Sequence, residues 1–218
     1  MGSRRLPGKA LAPLLGKPML EVILERLAPT RRIQQIGIAT SESPHDDAIQ
    51  QLARRLSVPC FRGSEEDCLD RFYRAAASWQ ADVVVRLTGD NLLVDAEFVD
   101  GAIDSFFSGE PKCDYLSSAL SKTFPTGLSV EVFTFAALAE AWQSSSRPEQ
   151  REHITLYLYE HPERFCIRKF ASSQDLSHLR WTVDTPEDLA VVQRIFESIG
   201  SIRFSWREAV ALAGARKP

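Results

Sequence analysis

Apolar positions along this chain switch repeatedly between a helical period and the continuous or alternating runs of strands. Pro18 stands at a first helical position and is followed by Met19, Leu20, Ile23, Leu24 and Leu27, one apolar stripe on a helix that ends near Pro29. Residues 33–40 then read as a strand. Ser43-Pro44 opens a second helix with Ile49, Leu52, Ala53 and Leu56 on its inner face, a short strand follows over 58–61, and 66–79 is a third helix. Residues 83–87 form an apolar run broken by Arg86, as expected of a central parallel strand. After Asp95 a helix carrying Phe98, Ile103, Phe106 and Phe107 stops at Gly109. The pattern then changes. Residues 115–118 and 128–133 read as strands with 123–127 as the turn between them, helices cover about 135–144 and 148–160, and 165–170 alternates like a half-buried edge strand. Residues 180–188 read as a short strand, an aspartate and a helix start.

Strands alternating with helices, with no internal repeat or low-complexity linker, predict one α/β domain over 1–218. At 218 residues the chain buries about 70% of its unfolded surface, enough for a three-layer core. The net charge of −3 argues against a nucleic-acid partner, which calls for a broad basic face. No apolar run approaches the ~20 residues of a membrane span and no signal peptide is evident, so a cytoplasmic location is expected. Cys60, Cys68, Cys113 and Cys166 are scattered without a C-x-x-C pair, and the four histidines lack metal-ligand spacing.

Candidate chemistry lies in three separated segments. In the first nine residues Gly2 and Ser3 allow backbone N–H groups to approach an anion, and Arg4, Arg5 and Lys9 add three cations. A solvated tail is the competing reading of that segment. Asp90, after Gly89, ends the apolar strand at 83–87, and Asp184 ends the short strand near 183. In open α/β sheets ligands sit beyond the carboxyl ends of strands, so both carboxylates can meet in one crevice; two carboxylates facing a triphosphate imply Mg²⁺.

These segments resemble the cytidylyltransferase family typified by spore coat polysaccharide biosynthesis protein F and related to the acylneuraminate and 3-deoxy-manno-octulosonate cytidylyltransferases. The resemblance runs in order through Gly2-Ser3, Arg5-Leu6-Pro7-Gly8-Lys9, Gly16-Lys17-Pro18-Met19-Leu20, Ser64-Glu65-Glu66-Asp67, Leu69-Asp70-Arg71, Leu87-Thr88-Gly89-Asp90, Gly127-Leu128, Val130-Glu131-Val132-Phe133, Arg151-Glu152-His153 and residues 180–189. It implies a three-layer, Rossmann-like nucleotide-diphospho-sugar transferase fold with a mostly parallel mixed sheet. Residues 113–170 are expected on the acceptor side, carrying a homodimer contact. The implied reaction is Mg²⁺-dependent transfer of CMP from CTP to a sugar or acid sugar, with release of pyrophosphate, for surface or spore coat polysaccharide.

By the same resemblance, Asp90 and Asp184 are the metal and catalytic carboxylates and Lys9 the catalytic cation. Gly2, Ser3, Arg5, Lys9 and Gly89 shape the nucleotide site, and Arg71, Gly127, Glu131 and His153 the acceptor site. In the family a central strand precedes the residue matched by Gly2, so Met1 is expected to be an internal methionine and the native start about 5–10 residues upstream. Arg4 and Asn91-Leu92 also depart from the family pattern. Each assignment has a structural rival: Asp184 as a helix cap, Asp90 and Gly127 as turn residues, Arg71 as the partner of Asp67, and His153 as a packed or rim histidine. The alternative functions are a glycosyltransferase on a similar fold, although no Asp-x-Asp motif follows the central strand, and a truncated nucleotide-binding remnant.

Overall fold

The computed structural model describes residues 5–215. A short hairpin, β1 (Pro13–Leu14) with β2 (Lys17–Pro18), feeds α1 (Met19–Leu27). Then come β3 (Ile38–Ser41), α2 (Asp47–Arg55), β4 (Cys60–Gly63), α3 (Cys68–Ser78), β5 (Val83–Arg86) and α4 (Ala96–Phe107). The second half holds β6 (Tyr115–Ser117), β7 (Glu131–Thr134), α5 (Phe135–Ser144), α6 (Pro148–Glu152), α7 (Leu156–Glu160), β8 (Ile167–Lys169), α8 (Pro186–Ile199) and α9 (Trp206–Ala215).

The four-stranded sheet β5-β7-β6-β8 is mixed. β7 runs antiparallel to both β5 and β6, and β8 runs parallel to β6. Because strand side chains alternate between faces, this sheet feeds two cores. Val83, Val85, Leu116 and Val132 face α1, α4, α8 and α9, whereas Val84, Tyr115 and Phe133 face α3, α5 and α7. That makes three layers. On the first face Arg26 of α1 is buried, and its guanidinium donates to the carbonyls of Val94, Leu93, Phe204 and Ile202, pinning the chain after β5 to the segment before α9.

The parallel pair β3-β4 forms a separate sheet. Among the described residues β3 pairs only with β4 and β5 only with β7, so each has one open edge. All four residues of β5 are accordingly half-buried and its one partner is antiparallel, where an enclosed central parallel strand is expected from the sequence.

Several elements differ from the periodicity in extent. The strand expected at 33–40 is confined to β3, and the one at 58–61 shifts to β4. The helix expected over 148–160 is broken at His153–Thr155, whose backbone leaves the helical region, and this places the Thr155 hydroxyl 2.7 Å from Glu131 Oε1. Near residue 180 there is a single parallel bridge, Thr126 with Arg180, in place of a strand.

Candidate active site

Thr88, Gly89 and Asp90 lie just beyond the C-terminal end of β5, and Asp184 immediately precedes the cap of α8. The Val183 N–H donates to the Asp90 carbonyl at 3.2 Å, joining the two acidic loops through their backbones. Lys9, on a single 3-10 turn (Lys9–Leu11), reaches both. Its Nζ lies 2.9 Å from Asp90 Oδ2, 3.3 Å from Asp184 Oδ1 and 3.3 Å from the Val183 carbonyl. The other Asp90 oxygen accepts from the Thr88 hydroxyl at 2.5 Å. The second oxygen of Asp184 meets Arg5 at 3.3 Å and Arg180 at 3.1 Å. Side chains of Lys9, Asp90 and Asp184 are 20–23% exposed, open enough for a ligand to enter and closed enough for charge to count.

Electrostatics at Asp184 follow from this crowding. Partial burial opposes its ionisation, but the Lys9 hydrogen bond and charge, followed by Arg5 and Arg180, outweigh it and hold the carboxyl below its ordinary range. Asp184 is not the helix cap. Thr185 takes that role, accepting from the Asp188 N–H at 3.3 Å, while the Asp188 carboxylate returns a bond to the Thr185 N–H at 3.1 Å. The Asp184 side chain is therefore available to the crevice.

An acidic pair with a backbone carbonyl, already gathered around an ammonium, is a hard-oxygen cation seat of the kind Mg²⁺ accepts when water fills its remaining positions. Among the described residues no group of three or more His, Cys, Asp or Glu side chains forms a metal cluster, so any ion here depends on Asp90, Asp184, water and ligand oxygens.

Beside Asp90 opens a cavity of about 410 Å³ lined by Thr88, Asn91, Lys122, Gly127, Ser129 and Thr182 among others. Asn91 is buried and donates to the Ser129 hydroxyl at 2.9 Å, fixing the wall. Gly127 has φ +94°, and a Cβ placed there would lie 2.1 Å from the Thr182 nitrogen. The close approach and the positive φ account for the glycine, and the approach seats the cavity wall directly on the segment leading to Asp184. Lys122 has left-handed backbone (φ 54°) and supplies the cavity's single cationic side chain among the described residues.

Of the other expected residues, Arg71, Glu131 and His153 do not line this cavity. Gly2 and Ser3 lie outside the described residues. Gly89 adjoins Asp90, with open space where a side chain would project. Glu131 is buried behind the wall, where one carboxylate oxygen accepts from Tyr115 (2.5 Å) and Thr155 (2.7 Å) and the other pairs with Arg86. Burial, then the Glu131 charge, pushes the Tyr115 hydroxyl well above its usual range. Arg71 donates to the Ser64 carbonyl and the Cys68 sulfur (3.2 Å), while its expected partner Asp67 caps α3 and pairs with Arg151. His153 is exposed at the end of α6, away from the cavity lining. Sequence reasoning missed Lys122, Arg86 and Arg180 as members of these clusters. Arg86 carried a signal as a charge inside an apolar strand, and Arg180 lay within the family-like segment 180–189 without being assigned a role.

Comparison with known proteins gives one consistent answer. The model of the cytidylyltransferase family matches residues 1–201. The chain is 31% identical over 207 residues to the spore coat polysaccharide biosynthesis protein SpsF of Bacillus subtilis, covering 92% of this chain and 84% of that protein. To the 3-deoxy-manno-octulosonate cytidylyltransferase of Trichlorobacter lovleyi it is 27% identical over 231 residues, 91% of this chain and 89% of that one. A solved cytidylyltransferase from Leptospira borgpetersenii superposes with a TM-score of 0.94 at 32% identity, over 99% of this chain and 90% of its own. With the family model running through nearly the whole sequence and that enzyme's backbone overlying the same folded core, the chain belongs to the cytidylyltransferase family of nucleotidyltransferases.

Proposed function

We propose that this enzyme transfers CMP from CTP to an acid sugar and releases pyrophosphate, in a pathway that builds surface polysaccharide. The observation that carries the reading is the meeting of Lys9, Asp90 and Asp184 beside a cavity that Asp90 lines together with several hydroxyl side chains. The acceptor hydroxyl oxygen attacks the α-phosphorus, that oxygen loses its proton, and the bond from the α-phosphorus to the pyrophosphate oxygen breaks. Such chemistry asks the protein mainly for positioning and charge neutralisation.

In this proposal Asp90 and Asp184 hold Mg²⁺, which when bound neutralises charge on the phosphates. Lys9 and Arg5 contact the triphosphate, with Gly2 and Ser3 assigned to the same loop. Gly89 leaves room beside Asp90. The acceptor occupies the 410 Å³ cavity, where Thr88, Ser129 and Thr182 offer hydroxyl partners and Lys122 binds the acceptor's anionic group. Gly127 borders the acceptor, and Glu131 braces the wall from behind through Arg86, Tyr115 and Thr155. Arg71 and His153 do not line the cavity and have no ligand contact in this proposal. CTP and an acid sugar are favoured by the likeness to 3-deoxy-manno-octulosonate cytidylyltransferase. A cytoplasmic homodimer is part of the same reading; no helix among the described residues is long and apolar enough to cross a membrane.

The test is pyrophosphate release from CTP and Mg²⁺ with 3-deoxy-manno-octulosonate, against mannose as a neutral control. Release that requires the acid sugar supports the reading. Absence of release with any acid sugar refutes it.

A further inference from the structure

The place between Asp90 and Asp184 is already filled by a cation of the chain itself. Lys9 Nζ touches one oxygen from each carboxylate and the Val183 carbonyl, at 2.9, 3.3 and 3.3 Å. A divalent ion bound to the same oxygens needs metal–oxygen distances of about 2.0–2.1 Å and a shell completed by water. Ammonium and metal cannot share that space, and their like charges repel at such range. On the far side of Asp184, Arg5 and Arg180 already neutralise the second oxygen, so displacing Lys9 is what opens the seat.

Lys9 also has somewhere to go. It sits on a one-turn element anchored by the Lys9 N–H to the Leu6 carbonyl (3.1 Å), and its stem is long and flexible, so the ammonium can swing without unfolding its surroundings. A triphosphate entering the crevice offers it stronger acceptors than the two aspartates it leaves.

We propose that Lys9 is an internal counter-ion that occupies the metal seat of the free enzyme and is drawn off it by the triphosphate, so that metal and nucleotide bind cooperatively through an exchange at one position. This rests on the reading of Asp90 and Asp184 as the metal carboxylates, and adds to it an order of events: the seat becomes available as the phosphates arrive. By linkage, the factor by which CTP tightens metal binding equals the factor by which metal tightens CTP binding. Part of that factor comes from direct contact between metal and phosphate. The remainder belongs to Lys9 and disappears when its charge is removed.

The experiment uses the whole chain and Mn²⁺ as probe, with binding followed by calorimetry and by the Mn²⁺ magnetic-resonance signal. Without nucleotide, Lys9→Met is expected to bind Mn²⁺ about tenfold more tightly than wild type, within the usual range of coupling between sites. The factor by which CTP tightens Mn²⁺ should shrink in the variant by a similar amount. Lys9→Gln, which keeps a polar end, repeats the measurement, and circular dichroism establishes that each variant is folded. A purely structural lysine gives the opposite result, since its loss loosens the loops and weakens Mn²⁺. Equal or weaker Mn²⁺ binding by both folded variants overturns the exchange. If wild type releases pyrophosphate while the variants bind Mn²⁺ no better, the exchange alone fails; if Asp90→Asn binds Mn²⁺ as wild type does, the metal reading fails with it.

Discussion

Gly127→Ala provides the sharpest test of how the cavity is built, because two backbones meet there. The added Cβ would lie 2.1 Å from the Thr182 nitrogen and 2.5 Å from the Trp181 carbonyl carbon, where unbonded atoms prefer about 3.5–4.0 Å. No rotamer relieves a clash between a Cβ and main chain, so the two segments must part. Parting strains the bonds that join them, Thr126 N–H to Leu179 O at 2.9 Å and Trp181 N–H to Thr126 O at 2.6 Å. Two such bonds contribute about 0.5–1.5 kcal/mol each, and an alanine at positive φ costs about 1–2 kcal/mol more. The expected loss is therefore about 2–5 kcal/mol, a large share of a domain's roughly 5–15 kcal/mol. Gly16→Ala separates the two causes. Gly16 also has positive φ (+77°), but a Cβ there meets nothing within 4 Å, so only the dihedral cost of about 1–2 kcal/mol applies. Urea denaturation of both variants reads the difference directly, and pyrophosphate release should fall in Gly127→Ala because the parted segment leads into Asp184. If the two variants lose equal stability, the close approach does not govern this wall and the explanation of Gly127 is wrong.

Other consequences are independent of that joint. Asp90→Asn should abolish CTP turnover while shifting the thermal midpoint little, since volume is kept and the site is partly open; most of the activity surviving would remove Asp90 from the chemistry. Lys122→Gly should raise KM for the acid sugar at least fivefold and leave KM for CTP unchanged, while stability stays level or rises because glycine accepts left-handed backbone; unchanged acceptor KM would take Lys122 out of the site. Asp46, which accepts from Thr40 Oγ1 (2.6 Å) and from Ser41 N–H (3.0 Å) and Oγ (2.7 Å), should govern acid stability. Burial opposes its ionisation, while hydrogen bonds to the carboxylate, those from Thr40 and Ser41 among them, hold it below the usual range. Its contribution is therefore complete above about pH 4 and is lost progressively as pH falls below that. Asp46→Asn should flatten the acid limb of a stability-against-pH curve, and an unaltered limb would assign that dependence elsewhere.

Periodicity made most helices legible, because burying one stripe against a sheet dictates where apolar residues recur: α1, α3, α4 and α5 lie close to their expected spans. It did less well where tertiary contacts set the ends. The break between α6 and α7 satisfies the buried Glu131 through Thr155, a demand arising from β7 and β6 on the neighbouring layer. Strand spans likewise depended on which neighbours were present to pair.

For the site, the chain's order of residues was enough to single out Lys9, Asp90 and Asp184, since short charged segments at strand ends and turns are local signals. Local chemistry was equally consistent with Asp184 as a cap, and only the fold decided the matter, by giving the cap to Thr185 and turning Asp184 toward Lys9. Lys122 had no periodicity or motif to announce it, and Arg180 lay in a family-like segment that gave its side chain no role. Their place at the crevice comes from loops that meet through the Thr126–Arg180 bridge, 54 positions apart in sequence by difference of those numbers, and a contact of that separation is fixed by packing rather than by any property of the intervening residues.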